Sequence, residues 1–191
     1  MVVKENEVAI SGGKGAGTCN LIIQKDADFA SVCQFVTEGL QIGQQVAVMA
    51  GARFLRELAH GLSECGMRPD LSLRNGRLIF LTAPGCLPTL LKPDDPTHRG
   101  PLRTNAPLLR WVSDWTWAYG KGMEPARALE YQRRVHEFTG SLGALSLCTA
   151  LGAQLDRNSL LALLADHRRS ARAPEGLLRA GSAAFSAAAG Q

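Results

Sequence analysis

Five short apolar runs, separated by stretches of helical period, constrain this chain more than any other feature. They are CNLIIQ (19–24), QVAVMA (45–50), RLIFLT (77–82), LLRWVSDWTWAY (108–119) and ALSLCTAL (144–151). Runs of this length that do not alternate with polar residues suit strands buried on both faces of a parallel sheet. Between them, Phe29, Val32, Cys33, Val36 and Leu40 recur at helical spacing, as do Phe54, Leu55, Leu58 and Leu62 before Gly66. A third helical stretch carries Ala128, Leu129, Val135 and Phe138 with Tyr131 between them, and a fourth is NSLLALLADHRR, with Asp156 or Asn158 as its cap and basic residues at its C-terminal end. Strand and helix in alternation predict an α/β fold, a three-layer sandwich with a mostly parallel central sheet and helices on both faces. Ligands bind such sheets beyond the carboxyl ends of the strands, here near Gln24, Ala50, Thr82, Asp114 and Leu151.

The fourth run stands apart because it holds all three tryptophans, Trp111, Trp115 and Trp117, around a single acid, Asp114. Read as one strand, it places Leu109, Trp111, Ser113, Trp115 and Trp117 on one face and Arg110, Val112, Asp114 and Thr116 on the other. Three exposed indoles would form an apolar patch, so the face must fill a core or wall a pocket with Asp114 at its mouth; a buried helix is the third reading of so short a run.

At 191 residues, with 46% hydrophobic and 20% charged residues, the chain suits one globular domain able to bury its own core. No apolar run is long enough to span a bilayer, and the charged start MVVKENEVAISGG is unlike a secretory signal, so the expected location is the cytoplasm, with no membrane partner. The formal charge of +4 is spread over scattered arginines without interleaved aromatics, which argues against nucleic acid as a partner. Five cysteines, Cys19, Cys33, Cys65, Cys86 and Cys148, lie far apart with no histidine at ligand spacing. That spacing argues against disulfides or a zinc site and for reduced thiols acting as small hydrophobes, so no metal ligand is expected. His60, His98, His136 and His167 read as surface residues.

Residues 1–16 read as a flexible leader. SGGKGAGT near its end lacks the Gly-Lys-Ser/Thr ending of a phosphate loop and leads into a strand instead of a helix. Asp26 or Asp28 is placed to cap the first helix, and residues 67–76 read as a turn. Residues 83–107, with KPDDPTHRGP at their centre, read as a lid or rim loop. Residues 170–191 form an Ala-rich tail with room for one helix around 175–180.

Several of these runs together resemble the MEDS domain, the sensory domain of DcmR-type regulators of methanogens and methylotrophs, related to the KaiC and RecA-like fold. LRWVSDWTWA (109–118) is similar to the family's Leu-Arg-x-x-Gly-Glu-Met-Ser-Trp-Ala. CNLI at Cys19, EGLQIGQQV at Glu38, EYQ at Glu130, CTALGAQLD at Cys148 and ADHR at 165–168 follow the family's order of motifs over residues 17–169. The departures are specific. A family histidine is replaced by Gly17, family tyrosines by Ile22 and Ala150, a glutamate by Asp114 and an acid by Gln132. Arg110, Asp114, Trp117, Tyr131 and His167 remain.

The resemblance implies a RecA/KaiC-like sandwich and a non-catalytic sensory or regulatory module in signal transduction or transcriptional control. Its ligand-binding residues would be Arg110, Asp114, Trp115, Trp117 and Tyr131, its partner a small molecule or a signalling protein, and no cofactor is expected. With the domain filling nearly all of these residues, output would pass through a separate partner or self-association into a homo-oligomer. The alternative is a divergent P-loop, KaiC-like ATPase or nucleotide-binding protein, with Asp114 holding the magnesium of a bound nucleotide. No catalytic residues are expected, since neither Gly-x-Ser-x-Gly nor His-Glu-x-x-His occurs.

Overall fold

Every residue of the strand Gln45–Ala50 is buried, on both of its faces, so this strand must lie inside a layered sandwich. The computed structural model describes residues 19–24, 29–83, 109–119 and 123–170. They form, in order, β1 (Cys19–Gln24), α1 (Ala30–Gln41), β2 (Gln45–Ala50), α2 (Ala52–Glu64), α3 (Pro69–Arg74) and β3 (Leu78–Thr82). Then follow β4 (Leu109–Asp114), α4 (Thr116–Tyr119), α5 (Pro125–Ser141), β5 (Leu145–Leu151), a 3-10 turn at Gly152–Gln154 and α6 (Arg157–Ser170). The strands make one sheet in the order β1-β5-β4-β2-β3, and every neighbouring pair is parallel. The three-layer α/β sandwich expected from the sequence is the fold, with an all-parallel sheet among the described residues.

Alternation along each strand sorts the core into two layers. Val46, Val48, Ala50, Val112 and Leu147 meet Val32, Val36 and Leu40 of α1 and Leu55, Leu58 and Leu62 of α2 on one face. Ala47, Met49, Trp111, Cys148 and Ala150 meet Ala128 and Val135 of α5 and Leu163 of α6 on the other. The helices after β2 and β4 therefore lie on opposite faces, which makes the carboxyl ends of these neighbouring strands the switch point of the sheet. No helix among the described residues is long and apolar enough to cross a membrane.

Two expectations are corrected. The tryptophan stretch is not one strand: β4 stops at Asp114, and Thr116–Tyr119 turns as a short helix. The cause is local, because Asp114 Oδ1 accepts hydrogen bonds from the N–H and the hydroxyl of Thr116, two residues on, at 3.2 and 2.6 Å. Residues 67–76, read as a turn, contain α3, a six-residue helix that starts at a proline and buries none of its side chains. Asp156, by contrast, caps α6 as expected, accepting from Ser159 N–H at 2.7 Å. The leader with SGGKGAGT, the caps Asp26 and Asp28, Cys86, the proline-rich segment with His98 and the tail beyond Ser170 lie outside the described residues.

Arg110, at the start of β4, is buried against α1. It donates to Gln44 Oε1 (2.7 Å), to the Phe35 carbonyl (2.7 Å) and to Glu38 (3.2 Å), and its guanidinium lies 4.7 Å from the Phe35 ring centre. The absence of a side chain at Gly39 makes room for it: a Cβ there would come within 2.7 Å of Arg110 Cδ and 3.0 Å of Val46 Cγ2. In an open helix Gly→Ala stabilises by about 1 kcal/mol. Here the arginine is held by three acceptors, so Gly39→Ala is expected to lower stability by about 1–2 kcal/mol in urea unfolding. A gain in stability would show that the arginine yields freely.

Candidate functional site

The carboxyl ends of β2, β4 and β5 meet around Asp114, which is only 2% exposed. Burial raises its carboxyl to about 6, with the Thr116 hydroxyl and N–H pulling the other way. The Thr116 hydroxyl in turn accepts from Leu151 N–H at 2.9 Å, and Trp115 N–H donates to Thr149 O at 2.8 Å, so the end of β4 is tied to the end of β5. Trp115 is fully buried and stacks on the half-buried Trp117, with ring centres 6.4 Å apart at 27°. Trp117 lies over the end of β2, where a Cβ on Gly51 would sit 3.4 Å from its own Cβ. This is the switch point between β2 and β4, where sheets of this kind place their ligands.

Three buried polar atoms here have no hydrogen-bond partner among the described residues: Trp115 Nε1, Trp117 Nε1 and Thr149 Oγ1. Thr149 is the register partner of Asp114. Unpartnered donors are costly in a packed interior and are normally matched by water or a ligand. Tyr131, on α5, is half-buried in the same apolar layer, with its hydroxyl 3.1 and 3.3 Å from Arg127 nitrogens.

Asp114 ends β4, Trp115 and Trp117 follow it in the chain and share their apolar layer with Tyr131, and Arg110 lies apart. Four residue steps along the strand, roughly 13 Å, separate Arg110 from Asp114. Arg110 pairs with Glu38 and not with Asp114.

A second constellation lies under α5 and α6. Cys19 of β1, Cys148 of β5, His136 of α5 and His167 of α6 bring four ligand atoms within 4.8 Å of one another. The two sulfurs are 3.1 Å apart, His136 Nε2 is 3.2 Å from Cys148 Sγ, and the imidazoles meet edge to face at 4.9 Å. Both cysteines are free and buried. Burial, with the Cys19 thiol beside it, pushes the Cys148 thiol up to about 12, against the pull of the two imidazoles. Without a cation it is a neutral thiol and a poor nucleophile.

His167 and His136 correct the reading of the histidines as surface residues: His167 is 6% exposed and His136 half-buried, while His60 is exposed as expected. Spacing in sequence could not show this cluster, because its cysteines stand 129 residues apart and only the pairing of β1 with β5 unites them. No protein-family model matches this chain and no curated protein matches it, which leaves the geometry of these two sites as the basis for function.

Proposed function

We propose that the chain is a non-catalytic sensory or regulatory module of the MEDS type, acting in signal transduction or transcriptional control. It binds a small molecule or a partner protein at the switch point between β2 and β4. The observation that carries the reading is the buried acid Asp114, at the carboxyl end of a central strand, adjoined in chain or register by three unpartnered polar atoms on Trp115, Trp117 and Thr149. Apolar walls with a few unmatched polar groups are the usual composition of a small-ligand site.

The nucleotide-binding alternative draws less support from the same fold. A phosphate loop must follow a strand and open a helix. Between β1 and α1 the chain reads Lys-Asp-Ala-Asp-Phe, residues 25–29, whereas SGGKGAGT precedes β1. Two acids in place of glycines repel phosphates.

Tryptophan fluorescence tests the proposal, since two of the three indoles lie at the switch point. Titration with a panel of small organic compounds is expected to give a saturable change that Asp114→Ala weakens and Trp117→Phe alters, with magnesium-ATP giving none. A saturable response to magnesium-ATP, lost in Asp114→Ala, would replace the sensory reading with the nucleotide one.

A further inference from the structure

We propose that Cys19, His136, Cys148 and His167 form a tetrahedral site for a soft divalent cation, zinc being the fitting ion. The proposal is independent of the ligand reading at Asp114, because Cys148 faces α5 and α6 while Asp114 lies at the end of the strand next to it.

Geometry is the first argument. Zinc bonds of about 2.3 Å to sulfur and 2.0–2.1 Å to nitrogen set ligand atoms roughly 3.3–3.8 Å apart in a tetrahedron. The observed pairs at 3.1 and 3.2 Å, within a group spanning 4.8 Å, need shifts of only a few tenths of an ångström to about 1 Å to reach it. Four elements supply one ligand each, so binding would clamp the sheet edge at β1 to both helices of this layer.

The second argument comes from His167. Its Nδ1 lies 2.8 Å from the Leu163 carbonyl, an acceptor only, so Nδ1 carries the proton. The Gln132 amide, 3.2 Å from the same nitrogen, meets that N–H with its oxygen in one of its two orientations. The other nitrogen, Nε2, is then a lone pair, buried and without a partner among the described residues. A backbone carbonyl that fixes one nitrogen of a histidine and frees the other is the usual outer support of a metal ligand.

Charge and softness select the ion. Two cysteine thiolates and two neutral imidazoles cancel a 2+ charge, so the occupied site is neutral, as a buried site requires. Thiolate and imidazole favour zinc over magnesium or calcium, which take oxygen ligands. Binding releases the two thiol protons to solvent and involves no redox step. Four protein ligands close the coordination shell, which makes the site structural.

A disulfide is the competing use of the two sulfurs, and the sheet register opposes it. Cys19 pairs with Ser146, so Cys148 stands two residues further along the neighbouring strand. That diagonal separates Cα atoms by roughly 7–8 Å, beyond the usual 4.4–6.8 Å of a disulfide.

The test uses the full chain, purified under reducing conditions and treated with chelator, then titrated with cobalt(II) and zinc(II). One equivalent of cobalt is expected to give the intense visible bands of a tetrahedral, thiolate-ligated ion, and one equivalent of zinc to displace it. Zinc at a hundredfold excess over its Kd should raise Tm by roughly 5–10 °C. Cys148→Ser and His167→Gln should each weaken binding by roughly 100-fold or more, and Cys33→Ser, a buried cysteine outside the cluster, should leave it unchanged. The wild-type spectrum decides the matter even if a ligand variant misfolds. Absence of a tetrahedral thiolate spectrum in the reduced wild-type chain, unchanged binding in a folded Cys148→Ser, or a Cys19–Cys148 disulfide found by mass spectrometry in protein purified without chelator would each overturn the proposal.

Discussion

Replacing Trp111 with alanine is expected to destabilise the protein by about 3–5 kcal/mol, the range for removing a fully buried indole. Trp111 is among the largest side chains with almost no exposure, and it packs in the layer between β4 and α5, edge to face with Phe138 at 5.8 Å. Its Nε1 donates to Ser113 Oγ at 2.7 Å, so truncation opens a cavity and also strands a buried hydroxyl. Collapse cannot fill the gap cheaply, because the strand is held on both sides by β2 and β5. Trp111→Phe should lose distinctly less, keeping most of the apolar contact. Urea unfolding followed by circular dichroism measures both, and a Trp111→Ala loss below about 1 kcal/mol would show that the indole is not part of the core.

Asp114→Asn is expected to raise stability at pH 8 by about 3 kcal/mol, with little change at pH 4. The wild-type carboxyl is raised to about 6 by burial, against an ordinary value near 3.8. Between these values the folded protein keeps a proton that the unfolded chain has lost. Stability from this group is therefore highest below about pH 4, falls as pH rises to about 6, and stays low above it. A difference of about two pKa units is worth about 3 kcal/mol. Asparagine keeps an oxygen for the Thr116 N–H and hydroxyl while removing the ionisation. Unfolding of both proteins from pH 4 to 8 gives the difference curve; a difference that does not change with pH would mean the carboxyl is not desolvated.

Much of the architecture was legible in the residues. The strands end near Gln24, Ala50, Thr82, Asp114 and Leu151 as expected, since buried parallel strands are rich in apolar residues without polar alternation and the sequence carries that directly. For Trp115 and Trp117 the one-strand reading fails, because the turn that follows Asp114 depends on its side chain capturing Thr116, which periodicity does not register. The short helix α3 was missed for a related reason: it buries nothing, so no apolar stripe betrays it.

The Asp114 site was half legible. Asp114, Trp115 and Trp117 are neighbours in the chain and stayed neighbours in space, but Arg110 was separated from them by the rise of the strand and bound instead to α1. The Cys/His cluster was hidden entirely from spacing. Local sequence determined which segments are strands and helices and which side chains share a face, because those follow from a repeat of two or 3.6 residues. Strand order and register belong to the tertiary structure alone: only the parallel pairing of β1 with β5 sets Cys19 beside Cys148, and only the packing of α5 and α6 over them brings His136 and His167 within bonding reach.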